Sequence, residues 1–222
     1  MTKAKTILRR DFLLGAGSLS ALTLAGCTTT APTQPNPSLP QFDPFYVDMY
    51  GPIYSEPYPI PAVDLRYVDP AYYRRVVDYP TTERPGTIVV DTAQRYLYLV
   101  RDGGQAMRYG VGIGREGFSW SGGGYINHKK RWPTWTPPSE MIAREPELEK
   151  WRNGQPPGID NPLGARALYI FEDGRDTLYR LHGTPEPWTI GKAVSSGCVR
   201  LMNQDVIDLY DRVAPGSPIR VI

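Results

Sequence analysis

The sequence predicts a mainly β domain with one clear helix towards its C-terminal end. Three observations predict it. Short β-branched and aromatic runs recur in pairs around glycine turns, an apolar run at helical spacing follows near the end, and proline punctuates the chain before the first strand.

Order is expected to begin near Gly86. Thr87-Ile88-Val89-Val90-Asp91 reads as a first strand and Tyr96-Leu97-Tyr98-Leu99-Val100 as a second, and Asp102-Gly103-Gly104 turns the chain into a third over Ala106–Gly112. Leu168-Tyr169-Ile170-Phe171 and Thr177-Leu178-Tyr179-Arg180-Leu181 flank Asp173-Gly174 as a second hairpin. Between the pairs runs a long connection with Trp120, Trp132, Trp135 and Trp151, broken by Gly122-Gly123-Gly124 and Pro137-Pro138. Long connections in compact domains are often functional, and Trp132-Pro133-Thr134-Trp135 is a candidate lid or cleft wall. His128 falls in this connection and reads as a solvated loop residue, and Glu147–Arg152 as a short helix. Asn203 is the expected cap of a helix carrying Val206, Ile207, Tyr210 and Val213, which Pro215-Gly216 ends before a last strand, Ile219–Ile222.

The N-terminus reads as an address. Lys3, Lys5, Arg9 and Arg10 form a positive region, followed by a short apolar stretch from Phe12 to Leu24. Arg9-Arg10-Asp11-Phe12-Leu13 resembles a twin-arginine signal, with the general secretory route as the alternative. Leu24-Ala25-Gly26-Cys27 has the pattern of a lipobox, which makes Cys27 the expected lipidation site, and Thr28 after it fits sorting to an outer membrane. The expected organisation is an export signal over 1–27, a Pro/Tyr-rich tether over 28–85 and a folded domain over 86–222. Nine prolines from Pro32 to Pro61 predict an extended, polyproline-like spacer, with Tyr46, Tyr50, Tyr54 and Tyr58 free to dock or bind.

Composition excludes several functions. The chain has 222 residues, 41% hydrophobic and 22% charged. Of its 25 basic and 23 acidic residues, 21 and 22 remain once residues 1–26 are removed, a net of −1. A near-neutral protein offers no electrostatic case for nucleic acid. Two histidines and two distant cysteines give no metal-ligand spacing, so no metal site is expected.

Lipidation of Cys27 leaves Cys198 as an odd thiol in an exported protein, and such thiols call for a chemical explanation. An inert buried cysteine or a Cys27–Cys198 disulfide is the alternative. A nucleophilic cysteine needs a lowered pKa and a nearby base. His182 ends a predicted strand 16 positions earlier, with a Pro/Gly loop between that lets the chain return. Ser195-Ser196-Gly197 before Cys198 suggests a tight backbone whose N–H groups face a developing oxyanion. Arg200 adds a charge that favours thiolate and suits a substrate carboxylate.

Leu181-His182-Gly183-Thr184 followed by Ser195-Ser196-Gly197-Cys198-Val199-Arg200-Leu201 resembles the signature of the L,D-transpeptidase (YkuD-type) catalytic domain. The likeness runs from Thr87 to Ile222, with Asn161-Pro162-Leu163-Gly164 and Leu178-Tyr179-Arg180-Leu181 included. It implies a YkuD-type β-sandwich or barrel in which Cys198 is the nucleophile, His182 the general base and the Gly183 carbonyl the group that orients the imidazole. It further implies oxyanion donors around Gly197 and Cys198, a substrate contact at Arg200 and no cofactor. The implied substrate is a meso-diaminopimelate-containing peptidoglycan stem, and the acyl acceptor is an amine, water, a D-amino acid or an outer-membrane protein. Many members of the family carry histidine where this chain has Ser196, which leaves His182 as the base. A non-catalytic, wall-binding lipoprotein is the remaining reading.

Overall fold

The computed structural model describes residues 42–114, 121–195 and 197–222. The strands, in chain order, are β1 (Arg75–Asp78), β2 (Ile88–Asp91), β3 (Tyr96–Arg101), β4 (Gln105–Gly110), β5 (Ile113–Gly114) and β6 (Gly122–Arg131). Then come β7 (Arg166–Glu172), β8 (Arg175–Thr184), β9 (Ala193–Ser195), β10 (Val199–Met202) and β11 (Pro218–Val221). Three α-helices are described: α1 (Pro44–Met49), α2 (Ser139–Arg144) and α3 (Asn203–Arg212). The described residues are mainly β with their longest helix after Cys198, as the sequence predicts.

Both expected hairpins form. β2, β3 and β4 make an antiparallel meander, and β7 pairs antiparallel with β8. At the β7–β8 turn Asp173 and Gly174 both take positive φ, 48° and 76°. A two-residue turn that matches strand twist requires this, and Asp-Gly meets the requirement at little steric cost. β11 welds the halves together, lying parallel to β2 and antiparallel to β6. The nine-stranded order is β1-β4-β3-β2-β11-β6-β7-β8-β10, with β5 and β9 as a separate pair. The sheet curls back on itself, because Gly112, just after β4, exchanges backbone hydrogen bonds of 2.9 and 2.8 Å with Arg200 on β10. Inside lie Leu97, Leu99, Ile126, Leu168, Leu181 and Leu201, capped by Val206 and Leu209 of α3. Lys129 of β6 donates to the carbonyls of Tyr210 and Val213, serving the unpaired acceptors at the C-terminal end of α3.

Several expectations give way. The segment around His128 is strand β6, not a loop. Its glycines, Gly122 to Gly124, lie beside β11 and carry no apolar alternation to read. Trp132 is no lid, since it is 8% exposed and donates its indole N–H to Glu56 at 2.8 Å. The expected helix over Glu147–Arg152 is a 3₁₀ turn, Pro146–Trp151. Asn203 does not cap α3, whose cap position is Met202. Its amide is taken instead by the Ala165 N–H and the Thr184 carbonyl, a tertiary bond that outcompetes the local one.

The expected extended tether also fails over residues 42–79. This stretch is a folded strap on the domain. Pro44 and Pro70 sit in first helical turns, where a missing N–H costs nothing, and Asp43, Asp64 and Asp69 cap the short helices they begin or precede. Tyr50 and Tyr73 are buried with Leu65, Ile190 and Met202. β1 extends the sheet at β4. The export signal 1–27, Cys27 and the first part of the tether lie outside the described residues, and among those described no helix is long and apolar enough to cross a membrane.

Candidate active site

His182, Gly183, Cys198 and Arg200 come together because β10 lies parallel to β8. The register sets Val199 against Leu181, Arg200 against His182 and Leu201 against Gly183. Leu181, Val199 and Leu201 all point into the core. Since strand side chains alternate, His182 and Arg200 occupy the opposite face. Cys198, one position before β10, falls beside Arg180 on that same face, diagonal to His182. Gly197 turns the chain into this position at φ 126°, a conformation glycine alone adopts freely.

His182 is 5% exposed, and its Nδ1 lies 2.6 Å from the Gly183 carbonyl oxygen. A carbonyl only accepts, so Nδ1 carries the proton and, in the neutral ring, Nε2 is left as the acceptor. Burial pushes the imidazole pKa down to about 4, helped by the charges of Arg200 and Arg180, while the Gly183 and Pro162 carbonyls resist. The ring is therefore neutral at pH 7, with its tautomer fixed. Gly183 has no room for a side chain, because a Cβ there would meet Asn203 Oδ1. That close approach lets the Asn203 amide tie the end of β8 to the turn before β7.

Cys27 lies outside the described residues, which include one cysteine, Cys198. The residue is partly open to solvent, yet its sulfur is enclosed. Burial pushes the thiol pKa up rather than down, opposed by a backbone hydrogen bond from Arg180 and by the Arg180 charge. Two expectations are corrected here. The thiol pKa is raised instead of lowered, and the cation that favours thiolate is Arg180 in place of Arg200. Arg180 is held by Asp176 at 2.7 and 2.8 Å and lies 4.4 Å over the ring of Tyr169. Positions 180 and 182 share a face by strand periodicity, a signal the sequence already carries.

Arg200 is 9% exposed and reaches Glu186 Oε2 at 3.3 Å. Its Nε and Nη2 are buried with no hydrogen-bond partner. Unsatisfied buried donors are costly, and two on one guanidinium suit a carboxylate that arrives with a ligand. Ser195 ends β9, and Ser196 lies outside the described residues. His128 stands on β6 stacked on Tyr169 at 4.1 Å, two strands from Arg180 on β8. Among the described residues no His/Cys/Asp/Glu group has the geometry of a metal site.

A thiol and a neutral, carbonyl-anchored imidazole on adjoining parallel strands define a cysteine–histidine site on a curled β scaffold. The family model for the L,D-transpeptidase catalytic domain (YkuD) matches residues 85–221, and the chain belongs to that family. It is 35% identical over 148 residues to the probable L,D-transpeptidase YbiS of Escherichia coli K12, covering 64% of this chain and 46% of that protein. It is also 35% identical over 148 residues to the probable L,D-transpeptidase ErfK/SrfK of the same strain, with the same coverage. The chain thus spans about half the length of the curated relatives it matches. A crystal structure described as a probable carnitine operon oxidoreductase from Brucella melitensis is 45% identical, with a TM-score of 0.50, covering 68% of this chain and 94% of that one.

Proposed function

We propose that the chain is an exported peptidoglycan L,D-transpeptidase. The donor is a tetrapeptide stem carried on an amino-sugar disaccharide, cut between the L-centre of meso-diaminopimelate, its third residue, and the terminal D-alanine. His182 Nε2 takes the Cys198 proton as sulfur attacks the diaminopimelate carbonyl. Amides around Gly197 and Cys198 hold the oxyanion. The imidazolium returns its proton to the departing D-alanine amine, and a thioester remains. The side-chain amine of a second stem then attacks the thioester, the thiol is regenerated, and the product is a 3→3 cross-link. Arg200 receives a substrate carboxylate on its two unpaired nitrogens. Lipidation at Cys27 would hold the protein at a membrane surface of the periplasm, the outer membrane by the residue that follows.

The observation that carries this reading is His182: buried, neutral and locked by the Gly183 carbonyl into the tautomer a general base needs. The test is mass spectrometry of a disaccharide tetrapeptide incubated with the detergent-solubilised full chain beside its Cys198→Ala variant. Cysteine-dependent release of D-alanine with a dimeric product is the expected result. Release with only tripeptide would make water the acceptor. Unchanged stems would overturn the assignment.

A further inference from the structure

A groove of about 360 Å³ opens beside Thr184, the last residue of β8. Pro61 and Tyr67 of the strap form one wall, and Asp160, Pro185 and Trp188 of the domain form the other. Tyr67 and Trp188 are 64% and 47% exposed, so two aromatic rings face solvent at one cleft. The strap precedes residue 85, where the family match begins, so half of this groove is built by chain outside the family domain. Its wall is fixed in place. The Gln204 amide donates to the carbonyls of Gly51 and Pro61, and Tyr50 Oη donates to the buried Asp205.

We propose that this groove binds the amino-sugar end of the donor substrate, an inference that rests on the transpeptidase reading. Three arguments converge. The first is reach. Cys198 stands level with Arg180, and Thr184 lies four residues further along β8, about 13 Å at roughly 3.3 Å per residue. Three stem residues separate the attacked carbonyl from the sugar, an extended span of about 10–11 Å. The second is surface chemistry. A pyranose presents a C–H face that packs on an aromatic ring, and its acetamido methyl suits proline walls. The third is charge. The lining holds neither lysine nor arginine, its Asp64 is already paired with Arg66, and the Asp160 carboxylate suits neutral hydroxyl donors and disfavours an anionic ligand.

The experiment is calorimetric titration of the full chain carrying Cys198→Ala, so that no ligand is consumed, with disaccharide tetrapeptide and with the same tetrapeptide lacking its sugars. The expected result is about tenfold tighter binding of the disaccharide form, a margin that Trp188→Ala or Tyr67→Ala reduces to about one. Equal affinities, a margin that survives both substitutions, or binding of neither ligand overturns the proposal. Failure of the transpeptidase reading registers separately, as absence of D-alanine release by the unsubstituted chain, because the sugar margin is read without turnover.

Discussion

At the scale of single residues, burial favours the neutral form of two groups. Burial lowers the His182 pKa to about 4 and raises that of the Cys198 thiol. An imidazole that stays unprotonated to low pH is available as a base over a wide range, and a protonated thiol needs that base at the moment of attack. Activity should therefore keep its acid limb near pH 4 instead of near an ordinary histidine value of about 6.5, with its alkaline limb above the ordinary thiol range. His182→Gln should cost roughly 10²–10⁴-fold in kcat/KM, the usual contribution of a positioned base. The measurement is kcat/KM against pH for D-alanine release. An acid limb near 6.5 would mean that the ring is solvated when it acts. Gly183 belongs to the same argument, since its carbonyl fixes the tautomer and its missing side chain admits Asn203.

At the scale of elements, the strap is bolted to the domain by buried charge. Glu56 pairs with Arg166 at 2.5 and 3.0 Å, and those side chains are 7% and 2% exposed. Removing one partner of such a pair strands the other in a poorly solvating interior. Glu56→Gln, which keeps the shape and loses the charge, should destabilise by about 3–5 kcal/mol and speed amide exchange across residues 50–65. Urea unfolding with hydrogen exchange measures both, and a loss below about 1 kcal/mol would show that Arg166 finds water instead. Nothing in the strap's own sequence announces this pairing, because its partner lies 110 residues away. What the sequence did make legible was local. Asp173-Gly174 and Asp102-Gly103-Gly104 dictate turns through backbone chemistry, and the apolar spacing of Val206, Tyr210 and Val213 dictates α3. The Cys198 and His182 segments were legible as a motif. β6 was not, because Gly122 to Gly124 and three successive basic residues, Lys129 to Arg131, hide any alternation. Proline in the strap predicts extension, yet Pro44 and Pro70 open helical turns.

At the scale of the whole molecule, the packing of sheet, α3 and strap buries two ionisable groups, His182 and Asp205, and their titrations oppose each other. His182 has a folded pKa of about 4, below its unfolded value, so its contribution is present above about 6.5 and is lost as pH falls towards 4. Asp205 is wholly buried under Tyr50, and burial, with Asp208 adding to it, pushes its carboxyl up to about 7 against the pull of Arg74. A raised acid has the reverse sign: its contribution is present below about 4 and is lost as pH rises through 7. Between about pH 5 and 6.5 the unfolded chain protonates the histidine and the folded chain protonates the aspartate, so the two slopes cancel. Each alone amounts to about 1.4 kcal/mol per pH unit. The intact chain should then show nearly level stability across that window. Asp205→Asn should gain stability with rising pH, and His182→Gln should lose it. Urea midpoints at a series of pH values decide the matter, because two variants with slopes of the same sign would mean that at least one of these groups is hydrated in the folded chain.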